Sequence, residues 1–94
     1  MNLDKPLTAP AARKLIRTIL KDGSVNFSKH ALDEMKKDKL VEIDVVNVLR
    51  AGVVQPGEWE NGSWRYQVRT ARIVVVVAFR SETVARVVTA WRLT

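Results

Sequence analysis

Cysteine is absent from the 94 residues of this chain, and histidine occurs once, as His30. Without cysteine there can be no disulfide, no thiolate nucleophile and no cysteine-based zinc site. A single histidine also excludes a histidine-cluster metal site. Acidic residues are interleaved with lysines, which is typical of solvated helix surfaces rather than of a magnesium site: Asp33, Glu34, Asp38, Glu42 and Asp44. We therefore expect neither a metal nor a cofactor.

Long apolar runs are also missing. The opening segment "MNLDKPLTAP" lacks the apolar stretch of a signal peptide or membrane span, and "IVVVVAF" has the length of a buried strand. We expect a cytosolic protein with no membrane partner. A chain of 94 residues fits a single domain, residues 1–94, with one modest core.

Positive charge is plentiful and unevenly distributed. The net charge is +6 and the isoelectric point is about 10.2, which favours a polyanion partner. After Gly52 the chain has six arginines and no lysine. A guanidinium can grip a phosphate through two hydrogen bonds, whereas an ammonium is a point charge.

Helical spacing of apolar residues predicts three helices. The first begins after the capping residue Thr8 and ends at Gly23, and the second begins after Ser28. The third is predicted over residues 42–51, with Gly52 as its terminator.

Beyond Gly52 the sequence reads as strands joined by turns. "ENGS" at 60–63 is a strong hairpin signal, because Asn-Gly suits a type I′ turn. A short extended segment is predicted at 25–27. The pattern predicts an α+β fold, with the helices packed on one face of a four-stranded antiparallel sheet whose strands lie at about 53–60, 63–70, 72–80 and 84–93.

Strand alternation then sorts the side chains onto two faces. The Asn61-Gly62 turn would pair Glu58 with Arg65, a tight turn at Ala71 would set Gln67 opposite Val74, and a loop at 81–83 would set Arg80 opposite Val84 and Ala78 opposite Arg86. These registers place the apolar side chains, Tyr66 and Trp91 among them, on the face that the helices cover. The opposite face should collect Arg65, Gln67, Arg69, Arg72, Arg80, Arg86 and Arg92. A slip of one residue would divide the arginines between the faces.

Two interpretations of the cationic face remain open. An antiparallel sheet covered on one side needs polar residues on the other, so the face can be merely solvated. Like charges side by side are unfavourable, however, and a solvated face normally mixes in glutamate, lysine and threonine. The grouping of arginines therefore favours a site for a polyanion.

Two stretches of the chain resemble the RelE/ParE-like toxin superfamily of bacterial toxin–antitoxin systems. "VNFSKHALDEMKKDKLVEIDVVNVL" is similar to the opening of small toxin domains encoded beside zinc-finger antitoxins, and "RIVVVVAFRSETVARVVTAW" resembles the closing hairpin of MqsR-like and BrnT-like toxins. The resemblance covers roughly residues 13–93. It departs from the family pattern at Glu34, where relatives have an arginine, and at Val41, where they have a serine or threonine cap.

The resemblance implies a RelE-like toxin that cleaves mRNA, free or on the ribosome, and is restrained by an antitoxin protein. In this metal-independent chemistry the ribose 2′-hydroxyl attacks the adjacent phosphate, and the protein must align the groups, neutralise charge and move protons. The candidate catalytic residues are His30, as proton carrier, with Arg69 and Arg80 for the developing charge. The candidate RNA-binding residues are Lys29, Arg65, Gln67, Arg72, Arg86 and Arg92.

Other functions remain open on the same residues. A lone histidine near a helix start more often packs or bonds a loop carbonyl than it catalyses a reaction, and the scaffold itself dictates no activity. A module that binds RNA, DNA or protein without chemistry is the main alternative. A ParE-like gyrase poison, acting on a protein target, is the third.

Overall fold

The computed structural model describes residues 2–94 and contains, within that range, three α-helices and a six-stranded mixed sheet. The helices are α1 (Ala9–Asp22), α2 (Lys29–Lys37) and α3 (Glu42–Ala51). The strands are β1 (Ser24–Phe27), β2 (Val53–Val54), β3 (Glu58–Glu60), β4 (Ser63–Arg69), β5 (Ile73–Phe79) and β6 (Val84–Arg92). The predicted α+β class is confirmed. Among these residues, no helix combines the length and apolar composition that crossing a membrane requires.

The helix starts follow the capping signals in the sequence. The Thr8 and Ser28 hydroxyls accept hydrogen bonds from the backbone N–H groups of Ala11 and Ala31, at 3.3 and 2.9 Å. At α3 the capping residue is Val41, whose side chain cannot accept a hydrogen bond. Here the Asp44 carboxylate accepts from the Val41 N–H at 2.9 Å, which supplies one half of a capping box.

The sheet is larger than predicted and is not purely antiparallel. Its strand order is β1-β6-β5-β4-β2, and β3 pairs with β4. The prediction of four antiparallel strands is wrong because β1 joins the sheet as a parallel neighbour of β6. The strand predicted at 53–60 is divided into β2 and β3 around Pro56, which has no N–H to donate to a ladder.

The hairpin between β3 and β4 forms as predicted. Asn61 and Gly62 both have positive φ, 48° and 82°, as a type I′ turn requires. Trp59 pairs with Trp64, and their ring centroids lie 5.4 Å apart in an edge-to-face arrangement.

The core lies between the helices and one face of the sheet, which we call the covered face. Fully buried residues from every helix and from β4, β5 and β6 meet there, including Ile19, Met35, Leu49, Val68 and Val75. Tyr66 is also buried, as predicted, and its hydroxyl accepts a hydrogen bond from the Leu7 N–H at 2.7 Å.

A β-bulge in β6 places each of the last residues of this strand on the face of the sheet opposite to the predicted one. Val77 pairs with Val87, but the preceding residue Val76 pairs with Thr89, so Val88 is an extra residue on β6. The predicted pairing between β5 and β6 is correct from Phe79 to Val77. From Val76 to Ile73, each residue of β5 pairs with the β6 residue one position later than predicted. Trp91 and Arg92 therefore exchange their predicted faces.

Candidate nucleic-acid interface

The face of the sheet opposite the helices, here called the open face, carries Arg65, Gln67, Arg69, Val74, Val76, Ala78, Arg86, Thr89 and Trp91. Cross-strand pairing arranges these residues in three rows across the sheet. One row joins Arg69, Val74 and Trp91; the next joins Gln67, Val76 and Thr89. The third joins Ala78 and Arg86, and extending the β4–β5 register by one residue beyond Tyr66–Val77 brings Arg65 into it. Within one row, the Cα atoms of residues on neighbouring strands lie about 5 Å apart.

The open face holds three of the six predicted arginines. Arg65, Arg69 and Arg86 share it, because each pairs with or adjoins a residue of β5 that points away from the helices. The register between β4 and β5 differs from the predicted one by two residues, since Gln67 lies opposite Val76 instead of Val74. A shift of two preserves the facing of every side chain, so the prediction for β4 is confirmed despite the wrong partner.

Arg92 lies on the other side, which corrects its predicted placement on the cationic face. It pairs with Ile73 on the covered face. Its backbone N–H donates to Asp38 Oδ2 at 2.8 Å, and its Nε donates to the Asp38 carbonyl oxygen at 3.2 Å. Arg92 therefore attaches the end of α2 to the sheet, which is a structural task.

Arg72 and Arg80 are exposed residues in the connections at opposite ends of β5, so they lie outside the strands that form the open face. The predicted position of Arg80 opposite Val84 is confirmed, since its N–H donates to the Val84 carbonyl at 2.9 Å. Arg72 borders a shallow depression that includes Asp44, Asn47 and Val48 of α3. Arg80 borders a second depression, formed with the tryptophans of the hairpin and with residues 3–5.

Arg65 is the most enclosed cation of the open face. Its side chain is 19% exposed, and its Nε is buried without a hydrogen-bond partner. The predicted register with Glu58 is confirmed, but the carboxylate nearest Arg65 belongs to Glu60, 3.9 Å from Nη1. At that distance and exposure the carboxylate neutralises the guanidinium weakly.

The other two cations of the open face have no acidic partner. Within residues 2–94, neither Arg69 nor Arg86 forms an ion pair. Arg69 is exposed and Arg86 is half-buried, with Asn26 of β1 as its neighbour on the far side. Two unpaired guanidinium groups on an uncovered sheet leave positive potential available to a ligand.

Lys29 and His30 open α2 and are both exposed. The preceding Ser28 donates from its N–H to the Val87 carbonyl and from its hydroxyl to the Val88 carbonyl, at 3.0 and 2.9 Å. The start of α2 is therefore held against the backbone of Val87 and Val88, which follow Arg86 in β6. In the part of the chain that the structure describes, the His30 imidazole makes no hydrogen bond or ion pair.

No group of three acidic, histidine or cysteine residues within 2–94 could hold a metal ion. Three of the five acidic residues named in the sequence analysis make structural contacts instead. Glu34 forms an ion pair with Lys37 at 3.1 Å, while Asp44 caps α3 and Asp38 binds the end of β6. The open face is cationic and amide-bearing, which suits phosphate rather than a metal ion.

The residue of the open face that sequence reasoning missed is Trp91. Its prediction as a core residue assumed an unbroken β6. A signal was present, since Arg86 and Thr89 stand three positions apart and an unbroken strand would place the polar Thr89 on the covered face beside Val87. One inserted residue between them brings Thr89 to the face of Arg86.

Comparison with known proteins gives one result. A family model described as a domain of unknown function, DUF4258, matches residues 27–92, from the end of β1 to the end of β6. No curated protein and no solved structure matches the chain.

Proposed function

The chain belongs to the DUF4258 family, and we propose that it binds RNA on the open face of its sheet and cleaves it there as the toxin of a toxin–antitoxin pair. The observation that carries the proposal is the set of three arginines on an uncovered sheet, two of them without an acidic partner among residues 2–94. The choice of RNA, the cleavage and the antitoxin partner rest on the resemblance of the chain to mRNA-cleaving toxins.

Binding follows from the electrostatics of the open face. Phosphate contacts dominate the affinity of proteins for nucleic acids, and arginine offers the geometry that suits phosphate oxygens. Arg65 and Arg86 flank the buried Ala78, so two guanidinium groups stand on either side of a low apolar strip. A ribose-phosphate backbone lying along this strip would contact both groups.

Cleavage would require one covalent step. The 2′-oxygen forms a bond to phosphorus while the bond from phosphorus to the 5′-oxygen breaks, which leaves a 2′,3′-cyclic phosphate and a free 5′-hydroxyl. The proton of the 2′-hydroxyl passes to a base, and the leaving oxygen takes a proton from solvent. Arg86 would stabilise the negative charge that develops on the nonbridging oxygens of the phosphorane, as preorganised donors do, and Arg69 would hold a neighbouring phosphate.

His30 is the candidate base. Its side chain is exposed and has no partner among residues 2–94, and Ser28, two residues before it, binds the Val88 carbonyl of β6, the strand that carries Arg86. Imidazole is the side chain whose ordinary titration range matches neutral pH. Lys29, next to it, would add positive charge for an adjacent phosphate.

The second candidate is an RNA-binding module without chemistry, and the composition of the open face favours it. The face offers arginine, glutamine, threonine and tryptophan side chains, none of which is an ordinary proton carrier near neutral pH. In this case the same surface would hold RNA and leave it intact.

An end-labelled mRNA incubated with the purified protein in EDTA tests the proposal. We expect fragments that end in a cyclic phosphate, together with retarded RNA in a binding assay. Arg69→Ala and Arg86→Ala should each weaken binding by about tenfold and reduce its salt dependence. Arg92→Ala is the matched control, because it removes the same charge from the covered side.

The outcomes separate the candidates. Cleavage that persists in EDTA and is lost with His30→Ala, while binding is retained, supports the toxin. Tight, salt-sensitive binding with intact RNA supports the module. The absence of RNA binding, or equal losses for Arg86→Ala and Arg92→Ala, would overturn the proposed interface.

A further inference from the structure

Trp91 stands on the open face because of the bulge at Val88. In the register after the bulge it pairs with Val74, one row from Thr89 and Val76. Its neighbours Ala90 and Val75 form the corresponding pair on the covered face, and both are fully buried there. The indole is therefore turned away from the helices and is half-buried by the sheet alone.

The three tryptophans differ in what they contact. Trp64 donates its indole N–H to the Asp4 carbonyl at 3.0 Å and packs edge to face on Trp59. Within residues 2–94, Trp91 makes no ring contact and its indole N–H has no hydrogen-bond acceptor. A half-buried tryptophan ordinarily satisfies its N–H, so Trp91 has a polar group and part of a ring face to offer a ligand.

Beside Trp91 the open face carries a short apolar side chain, with an arginine on the far side of it. Val74, its cross-strand neighbour, is fully buried although no helix covers it, and Arg69 lies beyond Val74 in the same row. Trp91 and Arg69 are two strands apart, about 10 Å at the backbone. A flat aromatic ligand resting on this row would have the indole at one end and a guanidinium at the other.

We propose that the open face takes single-stranded RNA, with one base stacked on Trp91 and the flanking phosphates held by Arg69 and Arg86. This inference rests on the proposed function and names the form of RNA that the same site accepts. Aromatic side chains on a sheet stack bases well, and such stacking needs a base that is not already paired. Arginine then supplies the phosphate contacts on which affinity depends.

Charge complementarity and shape together select this occupant. A protein partner with an acidic surface would satisfy the arginines but would give Trp91 no flat ring to stack on. A double-stranded RNA keeps its bases stacked on each other and presents ribose hydroxyls and phosphates instead. An unpaired strand offers both a phosphate backbone and exposed base faces.

The test compares labelled RNA of one sequence as a 12-nucleotide single strand and as a duplex with its complement. The wild-type protein should bind the single strand at least tenfold more tightly. Trp91→Leu should weaken that binding by roughly 5- to 150-fold, the range that loss of one base–aromatic stack produces, and should affect duplex binding little. Trp59→Leu, an exposed tryptophan of the hairpin, is the matched control and should change neither.

A second measurement covers the case in which Trp91→Leu does not fold. Titration of the wild-type protein with the single strand should quench its tryptophan fluorescence, and Trp91→Phe should bind within about threefold of wild type while losing that quenching. Single-strand binding that Trp91→Leu leaves unchanged, or quenching that persists in Trp91→Phe, would overturn the stacking inference and leave the RNA-binding proposal intact. Preference for the duplex would also overturn it. Failure to bind either RNA would overturn the proposed function itself.

Discussion

Val74 and Val75 are neighbours in β5 and are both fully buried, yet they lie on opposite faces of the sheet. Val75 belongs to the main core, under the helices, whereas Val74 lies outside that core, between Arg69 and Trp91. The covered face is closed by other elements of the chain. On the open face, Val74 is covered only by long side chains of the sheet itself, and a bound ligand can displace those side chains.

The largest expected effect is on the free energy of unfolding, and it compares a valine buried under the helices with one buried on the open face. Val75→Ala should lower the free energy of unfolding by about 2–3 kcal/mol, since it removes two buried methyl groups and leaves a cavity that the helices cannot fill. Val74→Ala should cost about 1 kcal/mol, because mobile side chains can settle into the space. Urea unfolding of both variants measures the difference, and equal losses would show that the open face is packed as rigidly as the core.

The next prediction concerns the hydrogen bond between Ser28 and Val88 at the bulge. The Ser28 hydroxyl both accepts from the Ala31 N–H and donates to the carbonyl of Val88, the extra residue of β6. Ser28→Ala should therefore cost about 1–2 kcal/mol, more than the usual loss of a helix cap alone. Thr8→Ala, at the exposed cap of α1, is the control and should cost less.

The same pair of variants indicates how the bulge is maintained. If Ser28 fixes the register of β6, its loss should also change the near-ultraviolet circular dichroism of the tryptophans, because Trp91 depends on that register. A Ser28→Ala protein with an unchanged spectrum and a stability loss equal to that of Thr8→Ala would show that the bulge holds without this bond.

Much of this architecture follows from local chemistry in the sequence. Helix α3 begins and ends where predicted, since Asp44 and Gly52 carry their own capping signals. The Asn61–Gly62 turn sets the register of its hairpin, because only a positive-φ turn joins two strands so closely. Such features depend on a few adjacent residues and so can be predicted without the rest of the fold.

The errors arose where distant parts of the chain decide the outcome. β1 joins β6 across more than fifty residues, and nothing in "SVNF" by itself indicates a parallel partner. At the bulge, the Val88 carbonyl likewise accepts a hydrogen bond from Ser28, which comes from another element. One extra residue was enough to divide the predicted arginine face, exchanging Trp91 and Arg92.

A further prediction concerns Asp38, which binds Arg92 at the end of β6, beyond the bulge. It accepts a hydrogen bond from the Arg92 N–H on the covered side, so Asp38→Ala should cost about 1 kcal/mol. Asp38→Asn keeps an acceptor oxygen at that position and should cost less. Thermal unfolding of the two variants gives the comparison, and RNA affinity should stay at the wild-type value in both because Asp38 lies away from the open face. Weaker RNA binding by Asp38→Asn would contradict that separation of the faces.

The smallest expected effect concerns Glu60, the carboxylate 3.9 Å from Arg65 Nη1. The Glu60 side chain is 61% exposed, so Glu60→Gln should change the free energy of unfolding by less than about 0.5 kcal/mol. Removing its charge should nevertheless raise RNA affinity slightly, by less than about threefold at low salt, since Arg65 would lose a competitor for phosphate. Asp33→Asn removes one charge from the exposed surface of α2 and is the control for net charge. If both variants raise affinity equally, the gain reflects total charge rather than Arg65; a gain confined to Glu60→Gln assigns the phosphate contact to Arg65 and to the open face.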